Sequence, residues 1–163
     1  MLRMVNLHCT QKLRDRLKSP ASPAIPVTHW LQSWYATSLP WRPQMALLVN
    51  EQTLLPVLVP LAPSSTWIHR IPLEIQRVLQ ALNLATTPLD DVLLAWREAT
   101  ICKTSSRSLL GTMNEFCFLA EGYRNVKGML DPLGIAVALA QTPCGGSSGY
   151  RYPVDLIKQK ILH

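Results

Sequence analysis

The stretches SWYATSLPW (residues 33–41), MALLVN (45–50) and TLLPVLV (53–59) decide the fold. They follow one another with only Arg42-Pro43 and Asn50-Glu51-Gln52 as breaks, and they are rich in aromatic and branched aliphatic side chains. Such runs fit a pleated, half-buried surface and read as a three-stranded β-meander. Pro56 and Pro60 lack an N–H for a ladder, so the third strand belongs at an edge or is irregular. Upstream, Met4-Val5-Asn6-Leu7-His8 alternates like a further strand. Thr10 then offers a hydroxyl to cap a helix in which Leu13 and Leu17 share one face. Between helix and meander, residues 19–28 place Pro20, Pro23 and Pro26 three apart, which predicts an extended loop crossing.

Downstream the period changes to about 3.6. Leu73, Ile75, Val78, Leu79 and Leu82 form a helical stripe with Pro72 near its first turn. Thr87-Pro88-Leu89-Asp90 opens a second helix through Val92, Leu93 and Trp96, giving a pair spaced like a helix-turn-helix. Asp90 and Asp91 stand at the front of that second helix and would repel phosphate, which argues against reading DNA. Ala99 to Lys103 is a short strand, and the Ser/Thr-rich 104–108 precedes a helix facing inward with Leu109, Met113, Phe116, Cys117 and Ala120. Asp131-Pro132 starts a helix whose Ile135 to Ala140 is apolar all round, and Val154 to Leu162 is a last amphipathic helix. The expected architecture is α+β: one domain over 1–163, with a small, mostly antiparallel sheet packed by helices from the second half.

The chain is 163 residues long, 48% hydrophobic and 16% charged, with 13 prolines and a mean hydropathy of +0.11. This describes a single well-buried domain and excludes disorder as its main state. The net charge of +6 is concentrated at residues 1–18, 97–127 and 151–163. If the first and last helices lie on one side, they predict weak, salt-sensitive nucleic-acid binding without sequence preference. The longest apolar stretch, Leu54 to Pro63, is broken by three prolines and is too short for a membrane span. With no secretory pattern at the N-terminus and no C-x-x-C pair among Cys9, Cys102, Cys117 and Cys144, a reduced cytosolic protein is expected.

The strongest chemical signal is Thr104 to Asn114, where serines and Arg107 stand at a helix start whose free N–H groups attract anions. With the capped start near Thr10, the candidate anion-binding residues are Thr10, Lys12, Ser106, Arg107, Ser108 and Asn114. A capping serine beside a solvated Arg107 is the plain structural reading of the same residues. Gly145-Gly146-Ser147-Ser148-Gly149 matches the G-x-S-x-G nucleophile pattern, with Asp155 and His163 behind it, but it follows a helix instead of a strand. The four histidines have no metal-ligand spacing. No catalytic residue, metal or cofactor is assigned.

Four strings occurring in order, Leu7-His8-Cys9-Thr10-Gln11-Lys12-Leu13, Leu48 to Pro60, Arg107 to Phe116, and Thr142-Pro143-Cys144-Gly145 with Gly149-Tyr150-Arg151-Tyr152-Pro153, carry a resemblance over nearly the whole chain. The sequence resembles an uncharacterised bacterial family, the domain of unknown function DUF6933, with Ser106 where asparagine is expected. The resemblance implies one intact domain and brings no activity. The functional expectation is a cytosolic, non-enzymatic binding or regulatory domain whose partner is a protein or an anionic ligand. The alternative is an enzyme acting on a phosphorylated substrate or RNA, with Lys12 and Arg107 stabilising charge and Thr10, Ser108 or Asn114 orienting it.

Overall fold

A computed structural model describes residues 4–84, 86–90, 93, 96, 98–129, 131–145 and 149–162. Five strands, β1 (Met4–Cys9), β2 (Ser33–Leu39), β3 (Met45–Asn50), β4 (Pro56–Pro60) and β5 (Glu98–Lys103), form one sheet in the order β4-β3-β2-β1-β5. Its helices are α1 (Gln11–Leu17), α2 (Trp67–Ala81), α3 (Arg107–Asn125), α4 (Pro132–Ala140) and α5 (Pro153–Leu162).

The meander forms as its sequence predicts. β2 pairs antiparallel with β3 and β3 with β4, which leaves proline-bearing β4 at an edge. The expectation of a mostly antiparallel sheet is corrected, because β1 runs parallel to both of its neighbours, with Leu7 opposite Trp34 of β2 and Ile101 of β5. The physical reason lies in the connections. A tight turn can join only antiparallel strands, whereas α1 and the proline-rich crossing carry the chain back to the starting end before β2 begins. Strand β1 thereby has a neighbour on each side and is buried, with Val5, Leu7 and Cys9 almost fully covered.

Alternation along the strands divides the core between two faces. Val5, Leu7, Trp34, Ala36, Leu48 and Val57 point to one face, where α2 supplies Trp67, Ile71, Ile75, Val78 and Leu79, and α1 supplies Leu13. Tyr35, Leu39, Leu47, Val49 and Leu58 point to the other, beneath Leu109, Met113, Phe116 and Ala120 of α3. Apolar α4 contributes Ala136 and Ala140 to the first cluster and Ile135 and Leu139 to the second, so it closes the sheet along the β4 side. Helix α2 starts at Trp67, earlier than predicted, with Pro72 inside it. Trp67 and Ile71 extend the buried stripe by a turn, and that burial outweighs the hydrogen bond Pro72 cannot make. The predicted helix after Thr87 begins as a 3-10 turn, Thr87–Leu89. Leu89, Leu93 and Trp96 are buried, and much of the rest of that segment, including Asp91, lies outside the described residues.

The proline-rich crossing covers the β1 and β5 side of the α3 face. Ser22 N–H donates to the Ile101 carbonyl of edge strand β5 (2.8 Å). Asn6, 3% exposed, clamps Ile25 from both sides: its Nδ2 donates to the Ile25 carbonyl (2.8 Å) and its Oδ1 accepts from Ile25 N–H (3.0 Å). Edge β5 is thus partly shielded from strand addition.

Candidate functional site

Because β1 and β5 are parallel neighbours, both end at the same side of the sheet, and α1 and α3 start there. The two helices then diverge: Leu13 of α1 packs into the α2 face and Leu109 of α3 into the opposite face. In open α/β sheets this is the geometry of a ligand crevice, since connections leaving to opposite faces open a gap beyond the strand ends.

The helix starts are fixed by local chemistry. Thr10 Oγ1 accepts from Leu13 N–H (3.3 Å) and lies 3.1 Å from Thr37 Oγ1 on β2. Two residues earlier on that face of β2, Tyr35 accepts from Ser106 N–H (3.1 Å) and sits 3.4 Å from Ser105 Oγ. Ser106 Oγ caps α3 by accepting from Leu109 N–H (3.2 Å). A hydroxyl line along β2 therefore brings Thr10 and Ser106, far apart in sequence, to one end of the sheet. Both act as caps. Arg107 and Ser108 are exposed, and their backbone N–H groups have no acceptor among the described residues.

Arg107 and Ser108 line an open groove of about 470 Å³, whose opposite wall is Pro143, Cys144, Gly145 and Tyr150. That wall is pinned by Cys144 and Arg151, which exchange backbone hydrogen bonds of 2.7 and 3.0 Å. Arg151 lowers and Glu115 raises the proton affinity of the half-buried Cys144 thiol, but burial dominates and holds it above its ordinary value. The groove thus carries both signs of charge, with Arg107 at the helix start and Glu115 two turns along. Lys12 is exposed on α1, and its charge reaches Cys117 in the middle of α3. Of the six predicted residues only Arg107 and Ser108 line the groove; Thr10, Lys12, Ser106 and Asn114 do not, so the six form no single pocket.

Sequence reading missed His8. Its ring stacks on Tyr35 at 4.7 Å, Nδ1 donates to the Lys103 carbonyl (3.1 Å), and Nε2 lies 3.4 Å from Ser33 Oγ. The Ser33 hydroxyl donates to Glu51 at 2.5 Å. Nδ1 carries the ring proton and the one Ser33 proton goes to Glu51, so Nε2 receives no hydrogen bond from Ser33; through the Lys103 carbonyl and the Tyr35 stack, His8 ties β1, β2 and β5 together. Alternation on β1 could have placed His8 on the Tyr35 face, but only the parallel register puts it opposite Tyr35. A second groove of about 410 Å³ runs from His8 and Cys102 past Ser105 under the proline-rich crossing.

Lys160 lines a groove with His29 and Trp30, just before β2 begins, whereas Lys12 follows the end of parallel β1. Lys12 and Lys160 therefore stand toward opposite ends of the sheet, while Arg151 of the last basic segment lies beside Cys144 at the groove that Arg107 lines. Residues 146–148 and His163 of the G-x-S-x-G reading lie outside the described residues. Among the described residues, no group of three or more His, Cys, Asp and Glu could hold a metal, and no helix is long and apolar enough to cross a membrane. All four cysteines are free, and burial pushes Cys9 up to about 12.

No curated protein and no solved structure matches the chain. Residues 6–156, most of its length, match the family described as Domain of unknown function (DUF6933), and the chain belongs to that family.

Proposed function

We propose that this is a non-enzymatic binding domain of the cytosol that takes an anionic ligand where α3 begins. The observation that carries the reading is the start of α3 just beyond the end of β5, where Arg107 and Ser108 line an open groove that faces Pro143, Cys144, Gly145 and Tyr150. A phosphate or carboxylate there would meet two backbone donors and a guanidinium able to bind it through two hydrogen bonds. Four free cysteines without a disulfide suit a reducing compartment. The alternative, an enzyme acting on a phosphorylated substrate or RNA, draws on the same helix start. One of its orienting hydroxyls, Thr10, is already engaged as a cap, so binding without turnover is the preferred reading.

Native mass spectrometry of the protein purified from its own host at low salt tests this. An anionic small molecule should remain bound to the wild type and be lost from the Arg107→Glu variant. Recovery of both proteins without ligand, or a ligand retained equally by both, would remove the reading.

A further inference from the structure

At the opposite end of the sheet, before β2 begins, a separate groove of about 520 Å³ runs between the 28–30 segment and the last turns of α5. His29 is the cap of the 3-10 turn Trp30–Gln32, and its Nδ1 accepts from Leu31 N–H (3.1 Å). A ring nitrogen that accepts carries no proton. The cap therefore fixes His29 as the neutral tautomer, with N–H at Nε2 as its remaining polar group. Gln32 locks the same turn, since its Oε1 accepts from Thr28 N–H (3.0 Å) and His29 N–H (2.9 Å) while its Nε2 donates to the Met4 carbonyl (3.0 Å). The imidazole stacks on Trp30 at 5.8 Å, so its position is held from both sides.

Lys160 of α5 comes close enough for its charge to act on His29. Neither Lys160 Nζ nor the Gln52 side chain has a hydrogen-bond or ion-pair partner among the described residues. Trp30, Leu89 and Ile161 provide the apolar part of the wall. One fixed neutral donor, one cation and an apolar wall match a small monoanion with an apolar body. A phosphate dianion would bring more charge than one ammonium offsets and nothing for the apolar wall to cover.

We propose that the groove between His29 and Lys160 is a second binding site, for an aryl or short alkyl carboxylate whose head lies between the His29 Nε2–H and the Lys160 ammonium and whose body lies along Trp30, Leu89 and Ile161. The site is independent of the α3 groove, from which it is separated by the length of the sheet.

The test is a 15N–1H NMR titration of the full chain with phenylacetate, with benzyl alcohol and inorganic phosphate as comparison probes. Phenylacetate should shift the amides of His29, Trp30, Gln52, Leu89 and Ile161, and neither comparison probe should reproduce this at equal concentration. Lys160→Gln should weaken phenylacetate at least tenfold. His29→Asp keeps a capping acceptor, so the turn survives, but it sets a negative charge where the head would lie and should abolish binding. Shifts absent up to millimolar phenylacetate would overturn the proposal. So would benzyl alcohol or phosphate binding as well as phenylacetate, or both variants binding like the wild type.

Discussion

Replacing Asn50 by alanine should be among the most damaging single changes in the molecule. Asn50 ends β3, is fully buried and makes five hydrogen bonds. Its Nδ2 donates to the carbonyls of Trp30 (2.8 Å) and Ser33 (3.4 Å), and its Oδ1 accepts from Gln52 N–H (3.0 Å), Thr53 N–H (3.0 Å) and Thr53 Oγ1 (3.1 Å). This one side chain shapes the β3–β4 turn, including Leu54 at φ +62°, and ties the turn to the start of β2. On truncation the Ser33 carbonyl keeps Glu51 N–H, and Gln52 is exposed enough to reach water. The Trp30 carbonyl, Thr53 N–H and Thr53 hydroxyl are left in the core without Asn50. At about 1–1.5 kcal/mol for each orphaned group, the loss is about 3–5 kcal/mol, a large share of the ~5–15 kcal/mol that holds a domain together. Urea unfolding followed by tryptophan fluorescence measures it, and melting should fall by roughly 10 °C. Thr53→Val, which removes only the hydroxyl, should lose about 1–2 kcal/mol. An Asn50→Ala loss below about 1 kcal/mol would refute the idea that the amide organises this end of the sheet.

Further outcomes follow from local chemistry. Lys18 closes α1 at φ +55°, so Lys18→Gly should stabilise the fold by about 0.5–1 kcal/mol in the same urea assay, whereas Lys18→Val should destabilise it. Burial, and then Lys160, lowers the proton affinity of His29 below its ordinary 6.5. Its stabilising contribution is therefore complete above that pH and is lost as pH falls through the lowered folded value. Asparagine at position 29 retains a cap but does not titrate, so His29→Asn should flatten the decline in urea stability between pH 7.5 and 5.5; an unchanged slope would assign the decline to other groups. With Cys9 buried and pushed up to about 12, a disulfide reagent at pH 8 should label it only at the rate of global unfolding, and rapid labelling of Cys9 in the native protein would contradict its position in the core.

Much of the fold is legible in the sequence because it is local. The meander, the Thr10 and Ser106 caps and the apolar stripe of α3 each depend on residues a few positions apart. What escapes is pairing over long range. β1 reads as a strand, but nothing in Met4 to Cys9 states that it lies between β2 and β5 or runs parallel to both. That follows from α1 and the proline-rich crossing acting together as a return connection of more than twenty residues. The candidate site divides in the same way. Arg107 and Ser108 are recognisable as residues of a helix start, whereas the groove wall from Pro143 to Tyr150 is brought opposite them only by packing. The His29–Lys160 groove joins positions 131 apart, and each residue alone looks like an ordinary surface side chain.

The central claim, that an anion is held where α3 begins beyond the ends of β1 and β5, is tested most directly by following backbone amides during a 15N–1H NMR titration with pyrophosphate at low salt. Arg107 and Ser108 N–H should show the largest shifts and saturate together. The response should weaken as salt is raised and vanish in the Arg107→Glu variant, while the amides of His29 and Ile161 stay in place. Saturation of pyrophosphate shifts elsewhere on the molecule, or a response at Arg107 and Ser108 that persists unchanged in Arg107→Glu, would contradict the account.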